Sequence, residues 1–124
     1  MLLIITIGLL LLLALSVFQF LLILKKPLGE FAWGGGHKVL PTKLRIASEF
    51  SILLYIVFAL FLVAASGLIQ TPFPQSIIEV TAWVLVGYFA LGTVMNLISR
   101  SKKERAVMTP TALTLAIIFL LVAL

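Results

Sequence analysis

Four long apolar runs, separated by short polar breaks, organise the chain: residues 2–24, 46–69, 77–98 and 107–124. A bilayer span takes about 20 apolar residues at ~1.5 Å rise each, so the pattern predicts a transmembrane helix from each run. The fourth is the shortest, and is expected to cross with little tilt or to end within the outer leaflet. The predicted fold is all-α, a four-helix transmembrane bundle forming one membrane domain over residues 1–124.

The breaks carry helix punctuation. Ser76-x-x-Glu79, after Pro72 and Pro74, reads as a capping box opening the third helix. Thr109-Pro110 reads as an N-cap and first-turn proline for the fourth. Leu40-Pro41 reads as the start of the second, leaving residues up to Arg45 as its overhang. Residues 39–44 and 107–112 resemble each other faintly, as two repeated hairpins would, but the match is short enough to arise by chance. In the first run Ala14-Leu15-Ser16 has cleavage-site spacing. No basic segment precedes it and apolar residues continue to Leu24, so it reads as a retained anchor.

Composition removes most alternatives. Only 10% of the residues are charged, 63% are hydrophobic and mean hydropathy is +1.30, whereas a soluble domain carries roughly 25% charged residues. With no cysteine there is no disulfide, thiol nucleophile or cysteine-bound metal, and a single histidine, His37, cannot make a multi-histidine site within one chain. No cofactor is expected. The formal charge of +5 fits the positive-inside rule and anionic lipid better than nucleic acid.

The charge is also sorted along the chain. All nine Lys and Arg lie between the first and second runs (Lys25, Lys26, Lys38, Lys43, Arg45) or between the third and fourth (Arg100, Lys102, Lys103, Arg105). With four spans these two loops share a side, expected to be cytoplasmic, and both termini then lie outside. So strong a bias argues against dual topology, and so against the small multidrug transporters and fluoride channels of similar length.

Candidate chemistry is sparse. The segment 25–45 is long for a helix connection. Within it Gly34, Gly35 and Gly36, followed by His37 and Lys38, could present backbone N–H groups to an anion or a lipid headgroup, with Arg45, Arg100 and Arg105 nearby. The plainer reading is an interfacial loop, with Phe31 and Trp33 at headgroup level and lysines on anionic lipid. Inside the spans, polar groups are costly unless partnered. Counting ~1.5 Å per residue, Gln19, Glu49 and Asn96 fall at similar depth towards the basic side, while Tyr55 and Tyr88 fall near the midplane. Thr81, Tyr88, Gly92, Asn96 and Ser99 share one stripe of the third helix. Ser48, Ser51 and Tyr55 do so on the second, with Glu49 at the edge.

Gln19, Glu49, Tyr55, Tyr88 and Asn96 therefore define a candidate polar cavity open to the basic side and sealed beyond it by aliphatic packing. The competing structural account pairs Glu49 with Arg45 one turn earlier. It also lets Gly92/Asn96 and Ala112/Ala116 bring helices close, with Asn96 and the tyrosines as interhelical hydrogen bonds.

Three stretches, GEFAWGGGHKVLP (29–41), RIASEFSILLY (45–55) and WVLVGYFALGTVMNLISRSKKERAVMTP (83–110), resemble a group of small four-helix bacterial membrane proteins without an assigned activity. The resemblance covers nearly everything except the first helix. It implies a multi-pass protein of the bacterial cytoplasmic membrane and supplies no catalytic residue. Three functions are then in contention. The first is a non-enzymatic membrane component or accessory subunit. The second is an oligomeric small-solute or ion transporter using the cavity. The third, a lipid-headgroup enzyme using His37 and Glu30, ranks last for want of any catalytic motif. Expected partners are anionic lipids on the cytoplasmic face and a homo-oligomer or larger membrane complex.

Overall fold

A computed structural model describes all 124 residues. It is all-helical, with α1 over Leu2–Ile23, α2 over Thr42–Ala65, α3 over Gln75–Leu97 and α4 over Lys102–Ala123. Two short 3₁₀ turns, Gly29–Phe31 and Trp33–Gly35, lie in the first connection. All four long helices have the length and composition to cross a membrane. The protein is thus a multi-pass helical bundle. Only 23 of 124 residues are buried, and large apolar side chains dominate the exposed surface. An exterior of that kind is stable against lipid and not against water.

The helix ends depart from the expected ones for identifiable reasons. Pro41 caps α2, as Leu40-Pro41 indicates, but the basic overhang is itself helical from Thr42. The same helix stops at Ala65 because Gly67 takes φ +83, the left-handed conformation that ends helices, and its N–H bonds to Ala64. The third helix begins at Gln75 with Pro74 as N-cap and no side-chain cap. Ser76 and Glu79 therefore lie inside its first turns and form no capping box.

The largest correction concerns α4. Ser101 is its N-cap, accepting from the Glu104 N–H at 3.2 Å, so Ser101-x-x-Glu104 supplies the cap and Pro110 is an interior residue. At 22 residues α4 equals α1 in length, but it opens on the charged residues Lys102 to Arg105, so its apolar part remains the shortest of the four. Because Pro41 caps a helix and Pro110 sits inside one, the similar segments 39–44 and 107–112 are not structural equivalents.

At the end of α1, Lys26 N–H bonds to Leu21 and Lys25 N–H to Leu22, with Lys25 at φ +66. This is a Schellman motif built on lysine. It turns the chain sharply into the first connection. Arg45 completes the junction, donating from Nε to the Ile23 carbonyl at 3.0 Å, one of the carbonyls a helix end leaves free.

Packing is uneven. Helices α1 and α2 form one hairpin and α3 and α4 another, each in far more intimate contact internally than with the other. The hairpins meet in the half away from the basic loops. There Ile5, Leu12, Leu62, Leu85, Leu115 and Phe119 form the core. Gly8 lets the first helix approach, since a methyl group there would stand 2.8 Å from Leu62 Cδ2 and 3.2 Å from Ile118 Cγ2. Phe89 stacks on Phe119 with centroids 5.5 Å apart and meets Phe58 edge-on at 5.7 Å. In lipid, where apolar burial drives little association, such close contacts hold helices together.

Candidate functional site

Below this plug, in the half bearing the basic loops, the hairpins part and leave a cavity of about 700 Å³ lined by all four long helices. Its roof is the aromatic cluster. Tyr88 is edge-on to Phe58 with centroids at 5.1 Å, and Phe58 packs against Tyr55 at 6.2 Å. Its floor is the first connection, residues Phe31 to Gly34. Its most exposed lining residues, Ile98 at 68%, Leu91 at 63% and Met95 at 59%, lie along α3 and its C-cap and mark a mouth on the apolar outer surface of the bundle.

Four of the five cavity residues expected from sequence meet here. Gln19 of α1, Tyr55 of α2, and Tyr88 and Asn96 of α3 all line the space. Glu49 does not. It is exposed on the outside of α2, away from the lining, because the face that turns inward is that of Ser48, Ser51 and Tyr55. Nor does it pair with Arg45, whose side chain is engaged at the end of α1.

The lining hydroxyls are mostly satisfied locally. Ser51 donates to Ala47 at 3.1 Å and Thr111 to Val107 at 2.7 Å. Gln19 differs: it is 7% exposed, its amide group lies within hydrogen-bonding reach of the Tyr55 side chain, and its Oε1 has no hydrogen-bond partner. Gly92 faces open space, so it does not draw α3 against a neighbour, and Asn96 borders the cavity where the packing account needs an interhelical tether. Ala112 and Ala116 are both buried, and Ala112 borders the cavity.

The residue missed from sequence is Glu104. It is 6% exposed and lines the cavity at the first turn of α4. In a complete capping box its carboxylate would return to the N–H of Ser101. Here that N–H bonds instead to Ser99 Oγ at 3.2 Å. The carboxylate is released towards the loop, where Oε2 accepts the Gly34 N–H at 3.3 Å. Its signal in the sequence is Ser101-x-x-Glu104 ahead of the apolar run, which competes with the start signal of Thr109-Pro110.

The loop is built to reach this point. Trp33, Gly34 and Gly35 occupy left-handed backbone in succession, at φ +51, +76 and +73, a conformation glycine adopts freely and tryptophan does not. Gly35 lies so close to Ser101 that a Cβ would collide with it, and Ser101 Oγ donates to the Glu30 carbonyl. Glu30 forms an ion pair with Lys103 at 2.5 Å, and the Lys103 ammonium also lies 5.7 Å from the Phe31 ring centroid. Hydrogen bonding and charge from Lys103 hold the Glu30 carboxyl below its ordinary pKa.

The residues proposed from sequence as an anion site do not converge. The Gly34 N–H already faces a carboxylate, Gly35 N–H closes a turn on Ala32 at 2.8 Å, and Arg45 is tied to α1. Gly36, His37, Lys38, Arg100 and Arg105 are exposed, and none of them lines the cavity. No three His, Cys, Asp or Glu side chains gather anywhere in the chain. Comparison with known proteins finds no matching family model, no similar curated protein and no similar solved structure.

Proposed function

We propose that this is a non-enzymatic component of a bacterial cytoplasmic membrane, with its basic end in the cytoplasm, that holds a small molecule in the cavity between its hairpins. The observation that carries this reading is the Gln19 side chain, nine-tenths buried in the cavity wall with an unpartnered Oε1. A buried amide oxygen left unsatisfied costs about 1–3 kcal/mol, a cost that a bound donor removes. The volume, about 700 Å³, lies within the ~300–1,000 Å³ of small-molecule sites. The exposed lysines and arginines around the basic end suit anionic headgroups and fix orientation rather than bind the ligand.

A transport role is the second reading. It is favoured by one observation, the looser contact between hairpins than within them. Alternating access needs two bodies that can rock, with the Phe58, Phe89 and Phe119 plug parting between them.

Native mass spectrometry of the protein released from its own membrane tests the binding reading. A reproducible non-lipid adduct is expected, lost in Gly92→Leu, which fills open cavity space, and kept in Gly87→Leu, which adds the same side chain outside the lining. An adduct indifferent to Gly92→Leu would overturn it. Flux into liposomes would separate transport from simple binding.

A further inference from the structure

Charge on the cavity lining is one-sided. The chain has nine lysines and arginines and four glutamates, yet no basic residue lines the space, and one carboxylate does. The other three glutamates are accounted for elsewhere. Glu30 is paired with Lys103 on the loop, Glu49 is exposed on α2, and Glu79 is exposed near the opposite end of α3. Glu104 alone is buried at the cavity, with a single 3.3 Å contact to a backbone N–H and no cation beside it. A carboxylate has room for about four hydrogen bonds, so most of its accepting capacity is unused. Gln19 adds a second unfilled acceptor in the same wall.

The rest of the lining is aromatic and aliphatic. Phe18, Phe31, Trp33, Tyr55 and Tyr88 ring the space, and aromatic faces attract cations. The mouth lies on α3 among Leu91, Met95 and Ile98, which are exposed to the bilayer. A ligand arriving this way is already dissolved in lipid, and its charged end meets Glu104 at the basic end. The exposed lysines and arginine flanking Glu104 stand in water, where their repulsion is screened, and Lys103 is neutralised by Glu30.

We propose that the cavity is a site for a lipophilic cation, an amine or ammonium compound whose charge sits at Glu104 and whose apolar body lies against the aromatic wall. This rests on the cavity being a ligand site at all. The test is isothermal titration of the protein in zwitterionic nanodiscs, with empty nanodiscs subtracted. The probes are 4-phenylbutylamine, 4-phenyl-1-butanol and 4-phenylbutanoate, alike in body and different in charge. The amine is expected to bind most tightly. Glu104→Gln, which keeps an acceptor for Gly34, is expected to weaken the amine roughly tenfold or more, the size of a lost charge-assisted hydrogen bond. Binding of the alcohol should survive in the same variant, which shows that the cavity is intact.

Amine affinity unchanged by Glu104→Gln, equal affinity for the three probes, or no amine binding to the wild type would overturn the cation assignment. In the first two cases, loss of all three probes in Gly92→Leu leaves the binding-site reading standing. If Gly92→Leu alters none of them, that reading falls as well.

Discussion

The amide of Gly34 and the carboxylate of Glu104 meet across a sequence separation of 70, at 3.3 Å, and join the first connection to the start of α4. The contact exists because Trp33 to Gly35 turn left-handed and because Ser99 takes the N–H that Glu104 would otherwise cap. It closes the floor of the cavity while leaving the carboxylate mostly unspent.

The docked loop makes the neighbouring glycines unequal. Gly35→Ala forces a Cβ into Ser101 at φ +73, while Gly36 is right-handed, at φ −70, with open space around it. Thermal unfolding in detergent should show Gly35→Ala destabilised by about 1–3 kcal/mol and Gly36→Ala near the wild type. Equal effects would mean the loop is not docked as described.

Glu49 lies outside the cavity, so Glu49→Gln should leave binding of the amine probe within about twofold of the wild type, the range of an uninvolved surface substitution. A loss comparable to that of Glu104→Gln would place Glu49 at the site after all.

Lys103 depresses the Glu30 pKa, so Glu30 stays ionised to a lower pH than in the unfolded chain. The sign follows from linkage: the pair contributes fully above the ordinary glutamate range and is lost as pH falls through the depressed folded value. Hydrogen exchange of the 29–36 amides should therefore be flat from neutral pH down to the ordinary carboxylate range, after correction for intrinsic rates. Protection should then fall at lower pH. In Glu30→Gln that acid step should be absent.

Gly8→Ala tests the plug. The added methyl meets Leu62 and Ile118 at 2.8 and 3.2 Å, and overpacking of this kind costs typically about 1–3 kcal/mol. Denaturant titration should show the loss, whereas Gly92→Ala, in open space, should show none of it.

Much of the architecture was legible from hydropathy, because spanning a bilayer demands long apolar helices and little else satisfies the backbone there. The inward faces of α2 and α3 were legible too, since seven- and four-residue spacings put Ser51 with Tyr55, and Tyr88 with Asn96, on one side. Edges of those faces were not: Glu49 sits one position from Ser48, a rotation of roughly 100° at 3.6 residues per turn, which carries it from wall to lipid. Helix α4 was misplaced because Thr109-Pro110 mimics a start signal. Pro110 removes only the one bond to the Ala106 carbonyl, a turn from the basic end of α4, and the helix continues through it. The pairing of Glu104 with Gly34 lay beyond reach, being a matter of tertiary approach between distant segments.

The latch between the first connection and α4 also imposes an order on synthesis. Residues 29–35 leave the ribosome long before 101–104, so Glu30, Gly34 and Gly35 lack their partners at the start of α4 while the first three helices are being inserted. Only when the fourth segment takes its place does Lys103 neutralise Glu30 and Glu104 capture Gly34. The loop thus reports completed insertion, and a chain halted after α3 would display it undocked, to proteases and quality control alike.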